Sequence, residues 1–338
     1  MLGYVEDTTL SAIANAIRSK NGATTTYKPS EMAIEIVTNF ADLDSAIIDG
    51  SITRLKFDDA YTGTIEEAAL YGCNLKEVNL PEVQSIKGLA FRNCSYLEKV
   101  NIPNLKIIKD NAFQNCISLP EVNFPLCSEL GAYAFSACSN LVRVNLPLIT
   151  EIKQSAFESC ISLKSIDLSN VSEIWYYAFQ GCSSLTKLES SSVVSIYTNA
   201  FANCTSLTTI NFDKTTGIDN SAFENCSSLV SVNIPSARVL NGYAFTKCSA
   251  LEYLDLPLVT TIGSNCFSKT GLKTLILRAS KVALLAGVSA LNETPIANGT
   301  GYVYVPSSLL ANYKVATNWK TYANQFRAIE DYPNICGG

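Results

Sequence analysis

The chain has 338 residues, of which 47% are hydrophobic and 16% charged, with a formal net charge of −5. That is too apolar for intrinsic disorder and rich enough to bury a long core. No basic run accompanies the charge, which argues against a nucleic-acid tract or an anionic-membrane patch, and no window of about 18 consecutive apolar residues argues for membrane insertion.

In chain order, residues 1–45 differ in kind from the rest of the chain. Thr8 or Thr9 is placed to cap a helix whose Leu10, Ile13, Ala14 and Ile17 share one face, and Lys20, Asn21 and Gly22 supply a stop. A second short helix is expected from residues 29–31, carrying Met32, Ile36 and Val37 inward. This segment reads as a helical cap or an attachment module. Residues 1–11 hold acids and threonines where a secretory peptide needs a basic start and an apolar stretch, so no export signal is expected and synthesis is cytoplasmic.

Residues 46–280 repeat. Phenylalanine recurs at Phe91, Phe113, Phe135, Phe157, Phe179, Phe201, Phe223, Phe245 and Phe267, every 22 residues without a slip. Around it runs the pattern A-F-x-x-C-x-x-L-x-x-V-N-L-P, with Ile or Leu 17 positions after the Phe. One such coil cannot bury its apolar face alone and must hide it against its neighbours. The alternation at Val100, Asn101 and Ile102 predicts a short strand with apolar side chains inward, so successive strands lie parallel and in register. The Ala-Phe-x-x-Cys segment is expected to form a tight helical turn opposite the strand. Proline at Pro81, Pro103, Pro125, Pro147, Pro235 and Pro257 ends the strands. The ladder continues outward: Leu75, Val78 and Leu80 fit with Ala69 in the Phe position, Ile52, Leu55 and Phe57 form a slipped first strand, and Leu272, Leu275 and Leu277 come after a one-residue deletion. That makes about 11 strands.

This repeat resembles the BspA-like leucine-rich repeat of bacterial proteins, as found in gut Firmicutes. The resemblance implies an α/β repeat solenoid, a right-handed leucine-rich-repeat coil with a parallel β ladder and helical turns, capped at both ends. It also implies recognition of a protein or glycan on a host or bacterial surface. The N-terminal pattern L-S-A-I-A-N-A-I-R-S-K-N-G resembles segments of prophage-encoded tail-associated proteins, which implies association with a phage-related particle. A bacterial cell-surface adhesin is the alternative.

Residues 281–338 leave the repeat. A last strand is expected at 301–306, then helices at 309–313 and 319–329, with Trp319, Tyr322 and Phe326 spaced as a buried face on the last coil. The stretch T-P-I-A-N-G-T-G-Y-V-Y-V-P resembles the C-terminal cap of the same proteins.

Chemistry is scarce. The chain contains no histidine, which removes the commonest general base, the usual zinc ligand and every His-dependent triad. No phosphate loop and no GxSxG appears. No enzyme activity, cofactor or metal is expected. Of twelve cysteines, eight (Cys94, Cys116, Cys138, Cys160, Cys182, Cys204, Cys226 and Cys248) share one repeat slot and read as small buried thiols. Cys73, Cys127, Cys266 and Cys336 lie outside it, with Cys336 expected to be exposed.

Two surface features are candidates for binding. A polar outward row runs through Asn101, Asn123, Asn145, Asp167, Glu189, Asn211, Asn233 and Asp255, either as a solvated face or as a recognition surface beside a variable row two residues earlier. Trp175, Tyr176 and Tyr177 sit before Phe179, and Tyr197 occupies the slot of Trp175 one coil later. Trp175, Tyr176 and Tyr197, with the acids Asp167 and Glu189, are the candidate ligand site, against local packing between adjacent turns.

Overall fold

The computed structural model describes residues 54–56 and 63–336. The helices expected within residues 1–45, and Ile52 and Phe57 of the expected slipped first strand, lie outside the described residues. The described residues separate into two compact units, divided between Ile149 and Thr150, each a stack of coils.

Most coils contribute to two rows of parallel strands. In the first unit the long row comprises Arg54–Lys56, Glu77–Asn79, Lys99–Asn101, Glu121–Asn123 and Arg143–Asn145, and the short row runs through Thr64–Ile65, Ser85–Ile86, Ile107–Ile108 and Glu129–Leu130. The second unit continues the pattern, with a seven-stranded short row from Glu151–Ile152 to Leu284–Leu285. The expected strand register holds: Val78 pairs with Val100, and Ile210 with Val232. The slipped first strand pairs Leu55 with Val78, and the deletion pairs Leu254 with Leu275. The short row, which places the Ile or Leu 17 residues after the Phe, was not foreseen as a strand; its two-residue elements are below the length at which alternation is visible.

The phenylalanines form a column inside each unit. Phe91, Phe113 and Phe135 stack with centroids 5.1 and 5.3 Å apart, and Phe179 and Phe201 lie 5.2 Å apart and 1° from parallel. All are fully buried.

The segment around each Phe is not helical. Two residues per coil, at Phe−2 and Phe+2, have positive φ: Asn111 and Asn115 at 61°, Asn199 at 58° and Asn203 at 64°. A run of helical dihedrals cannot pass through such residues. Instead N–H groups alternate in direction. Those of Asn111, Phe113 and Asn115 donate to the carbonyls of Ala132, Ala134 and Ser136 in the next coil, while those of Ala112, Gln114 and Cys116 close turns on Lys109, Asn111 and Phe113. The back of the coil is thus a hydrogen-bonded ladder of its own. Asparagine fills some of these slots, and Ser, Tyr, Leu, Ala, Gly or Lys the others, so the sequence signal was partial even though Asn enters the left-handed region readily.

The same geometry moves one residue. Leu70, not Ala69, takes the Phe slot of its coil: Ala68 and Gly72 flank it with positive φ, and its carbonyl accepts the Cys94 thiol. Cys73 therefore belongs to the cysteine row after all, one residue out of phase.

The C-terminal region caps its stack. Tyr302–Val305 pairs with Thr274–Leu277, and Phe326–Ala328 adds beyond it, so 326–328 is strand rather than the expected helix. Between them lie the helix Ser307–Val315 and the 3-10 turns of Trp319–Gln325. Trp319, Tyr322 and Phe326 are buried, as their spacing predicted. The open edge at Leu284–Leu285 is met by side chains: Trp319 Nε1 donates to Ala283 O at 2.7 Å, Asn318 Nδ2 to Leu285 O at 2.7 Å and Tyr322 Oη to Val288 O at 2.5 Å. These bonds answer backbone carbonyls that would otherwise end the ladder unpaired.

Asn203 tests the turn. Replacing it by Val should cost about 1–2 kcal/mol more than replacing it by Gly, because both lose the side-chain amide and only Val opposes positive φ. Urea midpoints of the two variants measure the difference; equal midpoints contradict the left-handed turn.

Candidate functional site

The site begins with one slot. The residue after each short-row strand donates its N–H to the preceding coil, Trp175 to Ile152 O and Tyr197 to Ile174 O, each at 2.9 Å. The registers of Glu151 with Glu173 and of Glu173 with Ser195 then set Lys153, Trp175 and Tyr197 one above another. Trp175 and Tyr197 stack at 4.9 Å, and Lys153 Nζ lies over the indole at 5.4 Å from the other side, paired with Glu151. Tyr176 meets the edge of Trp175 at 6.2 Å and Tyr197 at 5.3 Å.

The three aromatic residues singled out in the sequence therefore come together, and their inequality matters. Both faces of Trp175 are occupied, by a cation and by a phenol, and its buried Nε1 has no hydrogen-bond partner among the described residues. Tyr176 is the exposed member, at 38%. Next to it Tyr177 takes the Phe−2 slot with φ 59°, as Tyr133 and Tyr243 do in their coils. Lys153 was missed as a member, although the 22-residue period that located Tyr197 locates it equally well.

Asp167 and Glu189 belong to the long-row side of the coil instead. Asp167 lies where the repeat predicts a strand and none forms; its carboxylate accepts the N–H and hydroxyl of Ser169 at 2.9 and 2.6 Å, which hold its pKa below the usual range. Ser169 stands where other coils have proline. Glu189 is exposed and paired with Lys187 at 2.7 Å.

The outward polar row is largely a ladder of its own. Asn101 donates to Asn79, Asn145 to Asn123 and Asn233 to Asn211, at 2.6, 2.6 and 2.5 Å. The variable row beside it carries ion pairs, among them Lys99 with Glu77 and Arg143 with Glu121.

The cysteines are structural thiols. All twelve are free and buried, Cys336 included, contrary to the expectation of an exposed tail thiol. In the repeat slot the thiol donates to the carbonyl of the previous coil's Phe: Cys116 to Phe91, Cys182 to Phe157 and Cys204 to Phe179, at 3.1, 3.1 and 3.3 Å. The slot thus needs a small donor as well as a small apolar group. Cys266 takes the Ala slot before Phe267, and Cys127 the apolar slot held by Leu105 and Ile149 elsewhere. Burial pushes Cys204 up to about 12 and Cys127 up to about 11, so neither carries the thiolate a nucleophile requires. Among the described residues no group of three acidic, cysteine or histidine side chains is placed to hold a metal ion, and no helix is long and apolar enough to cross a membrane.

In-register parallel coils with a buried aromatic column and a side-chain-sealed end define a leucine-rich-repeat solenoid. The chain matches the BspA type leucine-rich repeat region over residues 63–186 and 173–285, in six copies, and belongs to that family. Solved structures that resemble it include the pneumococcal vaccine antigen PcpA, 18% identical over 82% of this chain and 77% of that one with a TM-score of 0.50. A leucine-rich cell surface protein of Faecalibacterium prausnitzii is 22% identical over 83% and 85% of the two chains (TM-score 0.46), and a leucine-rich repeat protein of Bacteroides ovatus is 22% identical over 79% and 87% (TM-score 0.35). At these identities the likeness is one of fold. No curated protein matches the chain.

The thiols make a prediction with a definite sign. Burial raises the pKa values of thiols such as Cys182, Cys204 and Cys226, so the stability this gives is complete below the unfolded thiol value of about 8.5 and is lost as pH climbs toward the folded values. At pH 8 the native protein should react negligibly with a thiol reagent and the denatured chain completely. Above about pH 9 unfolding free energy should fall by roughly 1.4 kcal/mol per pH unit for each thiolate released, a slope that Cys204→Ala reduces by one thiol's share. A pH-independent denaturation midpoint between 9 and 11 contradicts this assignment.

Proposed function

We propose that the protein is a non-enzymatic recognition scaffold whose aromatic cluster at Trp175, Tyr176 and Tyr197 anchors a protein partner on a host or bacterial surface. The observation that carries this reading is that the fold does not ask for aromatics there. The same slot holds Lys109, Gly131, Asp219, Asn241 and Gly263 in other coils without loss of the strand that precedes it. An exposed Tyr braced by two further aromatic rings has the character of an interface hot spot.

The choice of a protein over a glycan rests on the same geometry. A sugar ring stacks on a bare aromatic face, and Trp175 has Lys153 on one side and Tyr197 on the other. What the cluster offers is the Tyr176 side chain and ring edges, which fit a side-chain pocket on a protein. The long-row face supports the reading by contrast, since its amides and charges are largely satisfied within the ladder. Membership of a phage-related particle rests on the resemblance of the N-terminal segment, and tail or lysis genes beside this one would support it.

The test is a pair of arrays, one of host and bacterial surface proteins and one of glycans, probed with the whole chain. Binding is expected on the protein array alone. Tyr176→Ala should weaken it by about 2 kcal/mol, roughly 30-fold, with little change in melting temperature. Trp175→Ala with Tyr197→Ala should abolish it. Unchanged protein binding by the double variant, or a signal confined to the glycan array, overturns the proposal.

A further inference from the structure

The outward row changes character at its C-terminal end. Where earlier coils place Asn211, Asn233 and Asp255, the next two place Ile276 and Tyr304, both buried although they point away from the core of the coil. They are covered by the chain itself. Beyond the last strand, Phe326–Ala328, the residues Ile329, Tyr332 and Cys336 cross to this face and pack on Ile276 and Tyr304. Tyr332 meets Tyr304 edge to face at 5.4 Å.

The stack has a closure besides this segment, which is also tied to the cap helix where the Glu330 carboxylate accepts the Ser307 N–H at 2.9 Å. The inward residues of the last strands, Val303, Val305, Phe326 and Ala328, are buried, and the ladder edge is sealed by Asn318, Trp319 and Tyr322. The tail is held by polar contacts of another kind. Arg278 grips Asp255 through Nε, 3.0 Å from each carboxylate oxygen, and through Nη2 at 2.7 Å, and the same Nη2 donates to the Cys336 carbonyl. Asp255 is the last acid of the outward row, so the row itself positions the guanidinium that receives the tail.

We infer that the face formed by Ile276, Tyr304 and the Asp255–Arg278 pair is a peptide-binding site, filled in this chain by its own segment 329–336. Its ligand class is a short peptide that lays apolar or aromatic side chains on Ile276 and Tyr304 and turns a backbone carbonyl to Arg278. The site is separate from the aromatic cluster and does not depend on the function assigned there. Because the occupant is tethered, an incoming peptide competes against a high effective concentration, which makes the tail a gate on the site.

The full-length chain tests this. Cys336→Lys puts a bulky cation beside Arg278 and releases the tail while leaving Ile276, Tyr304, Asp255 and Arg278 in place. Hydrogen exchange should then rise in residues 329–336 and stay slow in the repeat strands. A synthetic peptide of the sequence Ile329–Cys336 should bind this variant at least tenfold more tightly than it binds the unaltered chain, and adding Arg278→Ala should remove that gain. Equal binding to both chains, or binding that survives Arg278→Ala, overturns the inference. So does a rise in exchange that spreads through the strands from residue 253 onward, since the tail would then be part of the cap. Thiol labelling at pH 8 gives a second reading on Arg278→Ala alone: Cys336 should label at least tenfold faster than in the unaltered chain while the other eleven cysteines stay protected. Unchanged protection of Cys336 also overturns it.

Discussion

In-register stacking is the constraint on which the rest of this structure depends. A coil of 22 residues has an apolar face it cannot bury alone, and a parallel ladder of constant period sets each side chain above the same slot in the next coil. Every slot is thereby a column, and a column must tolerate its own repetition. Phenylalanine does so by offset stacking, asparagine by passing an amide hydrogen bond along the row, and cysteine by donating to a backbone carbonyl one coil back. Charges do so by alternating in sign, as with Lys99 above Glu77. The same rule that builds the core thus writes much of the surface.

That rule explains both what was legible in the sequence and what stayed hidden. Columns with a fixed residue type, such as the Phe row and the inward strand positions, are legible because the period repeats them, and even the one-residue slips at Leu55 and Leu275 could be placed. The turn around the Phe was misjudged because its controlling slots hold no fixed residue type: Asn111 and Asn115 in one coil and Tyr133 and Ala137 in the next take the same positive φ. The coil of Leu70 was misphased by one residue because its slot holds Leu instead of Phe, which pushed Cys73 out of a row it belongs to. The outward asparagines looked like a solvated face, since a side-chain ladder and bare solvation leave the same residues in the sequence.

The candidate site was legible in part for the same reason. The period alone brought Trp175 beside Tyr197, and the register of the short row bears that out. It gave no warning that Lys153 would cover the other face of the indole, because rotamer and charge pairing decide that contact. Nor did it separate these aromatics from Asp167 and Glu189, which share their coils but face another way. Asp167 sits where the strand fails and a serine replaces the usual proline, a local break that composition could flag without saying what fills it.

On the proposed reading, specificity lies where the columns break. A partner that docks on the long-row face must disturb amides and ion pairs already paired along the columns, and exposed ion pairs return only about 0–1 kcal/mol each when re-formed. Regular columns therefore resist being recruited for recognition, while interrupted columns are free to serve it. The short-row slot is interrupted where lysine gives way to tryptophan, tyrosine and then aspartate, and the outward row is interrupted where Asp255 gives way to isoleucine and tyrosine. At the first interruption a tyrosine is left exposed, and at the second the chain folds its own tail over the apolar residues. Among the described residues, the regularity that makes the fold readable leaves its individuality to breaks such as these.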